Sequence, residues 1–160
     1  MDLYQQIILD HSKRPVGAGL REPFDAEVHH VNPTCGDEVT LRVTVTGEGN
    51  GEAAELTDIS YLAQGCSISV ASTSVMAEEL TGAGITQARE EYHAMKAMLT
   101  SRGQIQGDDD VIGDGVAFAG VSQYPARVKC ALLGWTALAD ALARRGIDIA
   151  AETSTDKDHS

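Results

Sequence analysis

Residues 39–45 alternate without a break: Val39, Leu41, Val43 and Val45 are apolar, while Thr40, Arg42 and Thr44 between them are polar. Period two commits this stretch to a strand with one dry face and one wet face. Such a strand needs neighbours in its sheet and a second layer over its dry face. Candidate neighbours flank it. One is Ala26 to Val31; the other, Leu56 to Ala63, alternates through Ile59 and Tyr61. The stretch Gly47-Glu48-Gly49-Asn50-Gly51 is a turn, and connections this short predict an antiparallel meander.

The second layer comes from segments of helical period. Asp2 can cap a first helix carrying Leu3, Ile7 and Ile8 on one face, which stops near Pro15. After the strands, Ser67 to Leu80 spreads Ile68, Val70, Ala71, Val75, Met76 and Leu80 at helical spacing, and Thr81-Gly82-Ala83-Gly84 ends it. A further helix is predicted from Thr86 to Leu99. The last starts near Pro125 or Ala126, repeats Val128, Leu132, Trp135, Leu138 and Leu142, and ends at Gly146. Ser101 to Gly120, rich in Gly and Asp, reads as mostly loop. Strands first and helices after predict an α+β fold: a three-stranded antiparallel sheet with helices packed on one face. Residues 1–150 read as one domain and 151–160 as a polar, disordered tail.

Composition narrows the function. Apolar residues make up 42% of 160, enough for a core without disulfide staples, and aromatics only 4%, so Leu, Val, Ile and Ala must fill it. A formal charge of −12 repels phosphate backbones and anionic membrane surfaces, which argues against nucleic-acid or membrane partners. No run approaches the roughly 20 apolar residues of a membrane span, and the opening carries no basic leader, so the expected compartment is the cytoplasm. Three cysteines are an odd number. In a reducing compartment isolated thiols point to metal binding, catalysis or burial.

Each thiol has two readings. Cys35 stands in Asn32-Pro33-Thr34-Cys35-Gly36-Asp37, between two strands. Gly36 lets the chain turn there, which brings a thiolate and a carboxylate toward one point, or else leaves a turn whose Asp caps an amide. Cys66 follows Gly65 and opens a helix, where amide donors and the positive helix end favour a thiolate; the alternative is a small buried side chain. Cys130 lies near the start of the last helix, beside Arg127 and Lys129 on one side and Leu132 and Leu133 on the other. Three thiols and one Asp would make a four-ligand site of a kind zinc accepts, although the spacing contains no CxxC pair. His30 and His93 have no spacing that ties them to the cysteines. His11 reads as part of a docking surface. Asp108-Asp109-Asp110 resembles the start of a calcium loop, but Ala119 stands where the twelfth-position glutamate belongs, so an EF-hand is rejected. Met76, Met95 and Met98 read as packing residues.

Taken in order, Asn32-Pro33-Thr34-Cys35-Gly36-Asp37, Gly65-Cys66-Ser67-Ile68-Ser69 and Arg127-Val128-Lys129-Cys130 resemble the NifU/IscU-type iron–sulfur assembly proteins, as does the opening Asp10-His11-Ser12-Lys13-Arg14-Pro15. The resemblance runs to about Gly146. Lys129 precedes the third cysteine where IscU proteins carry a histidine, and Gly107 to Gly120 resembles an insertion found in the SufU branch. Tyr124-Pro125-Ala126-Arg127 replaces the Pro-Pro-Val-Lys chaperone site of IscU.

The resemblance implies a zinc-dependent sulfur acceptor. SufU-type proteins bind zinc through three cysteines and an aspartate and take persulfide sulfur from the cysteine desulfurase SufS, for use by downstream cluster scaffold proteins. Carried onto this chain, the metal ligands are Cys35, Asp37, Cys66 and Cys130. Cys35 is the implied sulfur acceptor, and Arg127 matches an arginine that supports exchange of Cys35 for a desulfurase histidine. One alternative is a scaffold on which an iron–sulfur cluster is assembled, since the same ligands suit iron. Another is a structural zinc module that only docks to a partner.

Overall fold

A computed structural model describes residues 3–34, 36–47 and 54–150. Three strands, β1 (Ala26–Asn32), β2 (Asp37–Thr46) and β3 (Glu55–Gln64), form an antiparallel sheet in the order β1-β2-β3. The alternation in β2 does what period two requires. Val39, Leu41, Val43 and Val45 are buried, and Thr40, Arg42 and Thr44 are partly exposed. Register extends the dry face sideways. Val28 pairs with Leu41 and Ala26 with Val43 on one side; Tyr61 pairs with Leu41 and Ile59 with Val43 on the other. A bulge at Thr44/Val45 shifts the pairing with β3 by one residue near the hairpin. Beyond Gly47, the predicted turn lies outside the described residues, as do the Asp2 cap and the tail 151–160.

Among the described residues, five helices supply the second layer: α1 (Leu3–Lys13), α2 (Ser67–Leu80), α3 (Ile85–Leu99), α4 (Asp109–Ile112) and α5 (Pro125–Arg144). Pro125 sits in the first turn of α5, where its missing N–H costs nothing. Over its 20 residues α5 buries Leu133, Trp135, Leu138 and Leu142 against the inner face of β1 and β2 and against α2. The opposite sheet face stays open, with Val31 and Leu62 each 53% exposed. Helices thus cover one face of the sheet, as the strand-then-helix order predicts.

Two features depart from the sequence reading. The helix α2 is sandwiched rather than amphipathic: Ser69, Ser72, Thr73 and Ser74 are buried along with Val75 and Met76. The hydroxyls of Ser72, Thr73 and Ser74 are occupied, while Ser69 Oγ has no partner among the described residues. Ser72 Oγ donates to the Ala131 carbonyl at 2.7 Å and accepts from the Trp135 indole at 3.1 Å, which locks α2 to α5. The stretch read as loop is the second departure. After α4, residues Gly113–Gln123 form a 3₁₀ run that buries Val116, Ala117, Phe118, Ala119 and Val121. Glycine and aspartate masked an apolar cluster that tertiary packing orders. Met76, Met95 and Met98 are fully buried, in agreement with their assignment to packing.

Candidate metal centre

The end of the sheet where β1 turns into β2 carries the site. Asn32 and Asp37 close the β1–β2 ladder opposite each other, on the inner face and both buried. The β3 strand ends at Gln64, and Gly65 and Cys66 lead into α2. Gly65 has φ +138°, and a Cβ there would stand 2.1 Å from Asp37 Oδ1, so only glycine lets the two segments approach this closely. That approach delivers the Cys66 amide to Asp37 Oδ1 at 2.9 Å. The Cys66 thiol lies 3.8 Å from the other carboxylate oxygen.

Cys130 arrives from α5. Its side chain is buried, and its Sγ lies 3.6 Å from the Ala126 carbonyl one turn back and 3.9 Å from Asn32 Nδ2, which donates to it. Asn32 Oδ1 in turn accepts from the Thr34 amide at 3.3 Å. One side chain therefore holds both the turn and the third thiol. Sequence reading assigned Asn32 no role. The available signal was a polar residue at an inner-face position of a period-two strand.

Ligand atoms of Asp37, Cys66 and Cys130 all lie within 4.8 Å of one another. The donor set fits zinc: at about 2.3 Å from sulfur and 2.1 Å from oxygen, tetrahedral angles place sulfur and oxygen about 3.6 Å apart. Cys35, assigned as the fourth ligand, lies outside the described residues. Cys66 is exposed, so the centre opens to the surface. Beside it runs a groove of about 700 Å³ between α1, the start of α2 and the 3₁₀ run, lined by Tyr4, Ile8, Ile68, Val121, Tyr124 and Arg127 among others. Arg127 is exposed, with its guanidinium 5.7 Å above the Tyr124 ring. Lys129 is exposed on the same helix.

The remaining candidates sit elsewhere. His30 projects from the inner face of β1 to Asp140 on α5, Nε2 to Oδ2 at 2.8 Å. That hydrogen bond, with help from Arg144, holds the Asp140 carboxyl below the usual range. His93 packs edge-on against Tyr92. Asp108 caps α4 by accepting from the Asp110 amide at 2.9 Å. His11 is 8% exposed, which does not suit a docking surface; its ring is held between α2 and the 3₁₀ run.

Fold and site together define an α+β domain with cysteine and aspartate side chains gathered at one end of its sheet. Residues 3–131 match the NifU-like N terminal domain, and the chain belongs to that family. It is 36% identical over 144 residues to the zinc-dependent sulfurtransferase SufU of Bacillus subtilis (strain 168), covering 89% of this chain and 90% of the relative. It is 34% identical over 144 residues to the iron–sulfur cluster assembly scaffold protein IscU of Streptococcus pyogenes serotype M1, covering 89% and 84%. The N-terminal NifU-like protein of Brucella abortus superposes with a TM-score of 0.77 at 27% identity, over 90% of this chain and 94% of that one. Among the described residues, no helix is long and apolar enough to cross a membrane.

Proposed function

We propose that this chain serves iron–sulfur cluster assembly in the cytoplasm as a sulfur acceptor, taking persulfide sulfur from a cysteine desulfurase of the SufS type. In this reading Cys35, Asp37, Cys66 and Cys130 hold one zinc ion. The observation that carries it is the convergence of Asp37, Cys66 and Cys130, with Asp37 and Cys130 buried and Cys66 at the outer edge, beside the groove lined by α1 and the 3₁₀ run. A relative named as a zinc-dependent sulfurtransferase supports it. Bound zinc supplies one thing, the thiolate form of its cysteine ligands at neutral pH.

The chain's own residues do the rest. Cys66 and Cys130 are borne by helix starts and serve as fixed ligands. Cys35, in the turn between strands, is the acceptor. Its thiolate attacks the outer sulfur of the desulfurase persulfide; the persulfide S–S bond breaks and the desulfurase cysteine leaves as a thiolate. Cys35 then carries the new persulfide for a downstream scaffold protein. Arg127 offsets negative charge at the mouth of the site during this exchange.

Mass spectrometry of peptides after a single turnover with desulfurase and cysteine tests the assignment. The added sulfur is expected on Cys35. Sulfur on Cys66 or Cys130 alone overturns it.

Kinship with a protein named as a cluster scaffold favours a second reading, assembly of an iron–sulfur cluster on the same ligands. The two differ in colour and metal. Protein purified without added metal is colourless with one zinc for the sulfur acceptor, and brown with iron for the scaffold.

A further inference from the structure

His11, Glu78 and Asp114 come together from three elements, α1, α2 and the start of the 3₁₀ run. The imidazole Nε2 lies 3.2 Å from Asp114 Oδ2 and 3.4 Å from Glu78 Oε1. Nδ1 lies 2.6 Å from Ser74 Oγ, on the buried side. Ser74 Oγ also accepts the Val16 amide at 2.7 Å. In the tautomer that carries its proton on Nδ1, His11 donates to Ser74 Oγ and turns the Nε2 lone pair toward the two carboxylates, the arrangement a metal ion would bridge.

Geometry and charge favour the metal. Charge-assisted N–H···O bonds are about 2.7–2.9 Å long, shorter than either contact, and one N–H cannot aim at both oxygens. Ligands about 2.1 Å from a common ion lie about 3.0 Å apart at octahedral angles and about 3.4 Å apart at tetrahedral ones, which matches the two contacts. The charge is also unbalanced. Glu79 follows Glu78 in α2, and its carboxylate lies against Gly113, next to Asp114, so a third acidic group adjoins the cluster. Among the described residues no lysine or arginine pairs with Glu78, Glu79 or Asp114. A metal-binding histidine characteristically donates its other N–H to a protein acceptor, and Ser74 Oγ stands 2.6 Å from Nδ1 to take that part.

We propose that His11 Nε2, Glu78 and Asp114 form a second metal site, distinct from the cysteine centre, which takes a divalent transition-metal ion with water in its open positions. One imidazole and two carboxylates suit manganese(II), iron(II) or zinc(II). Glu78 is eleven residues along α2 from Ser67, roughly 17 Å, so no ligand is shared with the cysteine centre. Bound metal cross-links α1 to the 3₁₀ run. Those two elements are walls of the groove beside Cys66, so the site braces the surface on which a partner would sit.

Manganese(II) is the probe, because it binds thiolates poorly. The full chain, as purified and with its zinc content measured before and after, is titrated with manganese(II), and free ion is counted by electron paramagnetic resonance. The expected result is one manganese per chain with a pulsed-resonance coupling to one imidazole nitrogen. Asp114→Asn and Glu78→Gln, both at half-exposed side chains, should each weaken binding at least tenfold without lowering the zinc content or the helical circular dichroism. Asp109→Asn, in the exposed acidic cap of α4, should leave it unchanged. Absence of saturable binding would mean that His11 is merely hydrogen-bonded to its carboxylates, and it overturns the proposal. So does binding that lacks the nitrogen coupling or ignores both substitutions. At this site the coupled nitrogen is that of His11 and no cysteine is a ligand, so the outcome does not depend on what the cysteines hold.

Discussion

Asp37 meets Cys66 twice: one carboxylate oxygen accepts the Cys66 amide at 2.9 Å, and the other lies 3.8 Å from the Cys66 sulfur. The carboxylate therefore builds the start of α2 as well as offering a ligand atom. Asp37→Ala leaves the Cys66 amide without its acceptor and should cost about 1–3 kcal/mol of stability. Asp37→Asn keeps an acceptor and should melt close to the parent, yet bind zinc more weakly. Thermal melts and zinc competition against a chelator separate the two effects. Unchanged zinc affinity in both variants would reduce Asp37 to a turn-forming residue.

Gly65 sets how closely β3 can bring Cys66 to Asp37. A Cβ at 2.1 Å from Oδ1 cannot be accommodated without displacing the carboxylate, and φ +138° adds strain of about 1–3 kcal/mol for any other residue. Gly65→Ala should lower zinc affinity at least tenfold while the core, including the buried Trp135, stays folded. Zinc competition with Trp135 fluorescence as the fold monitor checks this. An alanine variant with parental affinity would show that the close approach is not needed.

The strands were legible because β2 separates a dry face from a wet one residue by residue, and Val39 to Val45 carry that signal alone. The bearing of Cys66 on a helix start was legible for a similar reason: Gly65 breaks the strand and an apolar helical spread follows. Burial of Ser72, Ser74 and His11 was not. Their partners, Trp135, Val16 and Asp114, lie 58 to 103 positions away in the chain, and no local period records such pairings. The 3₁₀ run failed for the opposite reason. Its glycines and Asp114 have loop propensity, and the packing of Phe118 overrides it.

Phe118 measures how far that override goes. It is fully buried in a segment whose composition reads as loop. Phe118→Ala should destabilise the domain by about 3–5 kcal/mol, the range for a large side chain lost from a core. Urea unfolding gives the value. A loss below about 1 kcal/mol would mean that the segment packs only loosely and contributes little to the core.

Glu91 predicts an unusual pH dependence. It is 1% exposed, its Oε1 has no partner among the described residues, and burial pushes its carboxyl up to about 7; the Gln87 hydrogen bond opposes the rise, and Glu79 and Glu90 add to it. The native state thus holds this proton more tightly than the unfolded chain, whose carboxyl titrates near ~4.3. The stabilising contribution is full below the unfolded value and is lost as pH rises through about 7. Glu91→Gln should therefore stabilise the protein by about 1–3 kcal/mol at pH 8 and change little at pH 4. Urea unfolding at both values decides it, and an equal change at the two would rule out titration of Glu91 as the cause.

If the chain accepts sulfur as proposed, an Arg127 variant separates that transfer from metal binding. The Arg127 side chain is exposed, and its guanidinium lies 5.7 Å above the Tyr124 ring, a cation–π pair worth no more than about 1 kcal/mol at the surface. Removing it should leave the core and the ligand atoms alone. Arg127→Ala is expected to keep its zinc and its melting temperature but accept sulfur from the desulfurase at least tenfold more slowly. Arg127→Lys should recover part of the rate, because a cation at the mouth of the site still offsets the charge of the thiolates and Asp37. Single-turnover persulfidation with zinc analysis on the same samples gives both readouts. Loss of zinc from Arg127→Ala would make the arginine a support for the centre itself. A parental transfer rate in the zinc-loaded variant would remove it from the reaction.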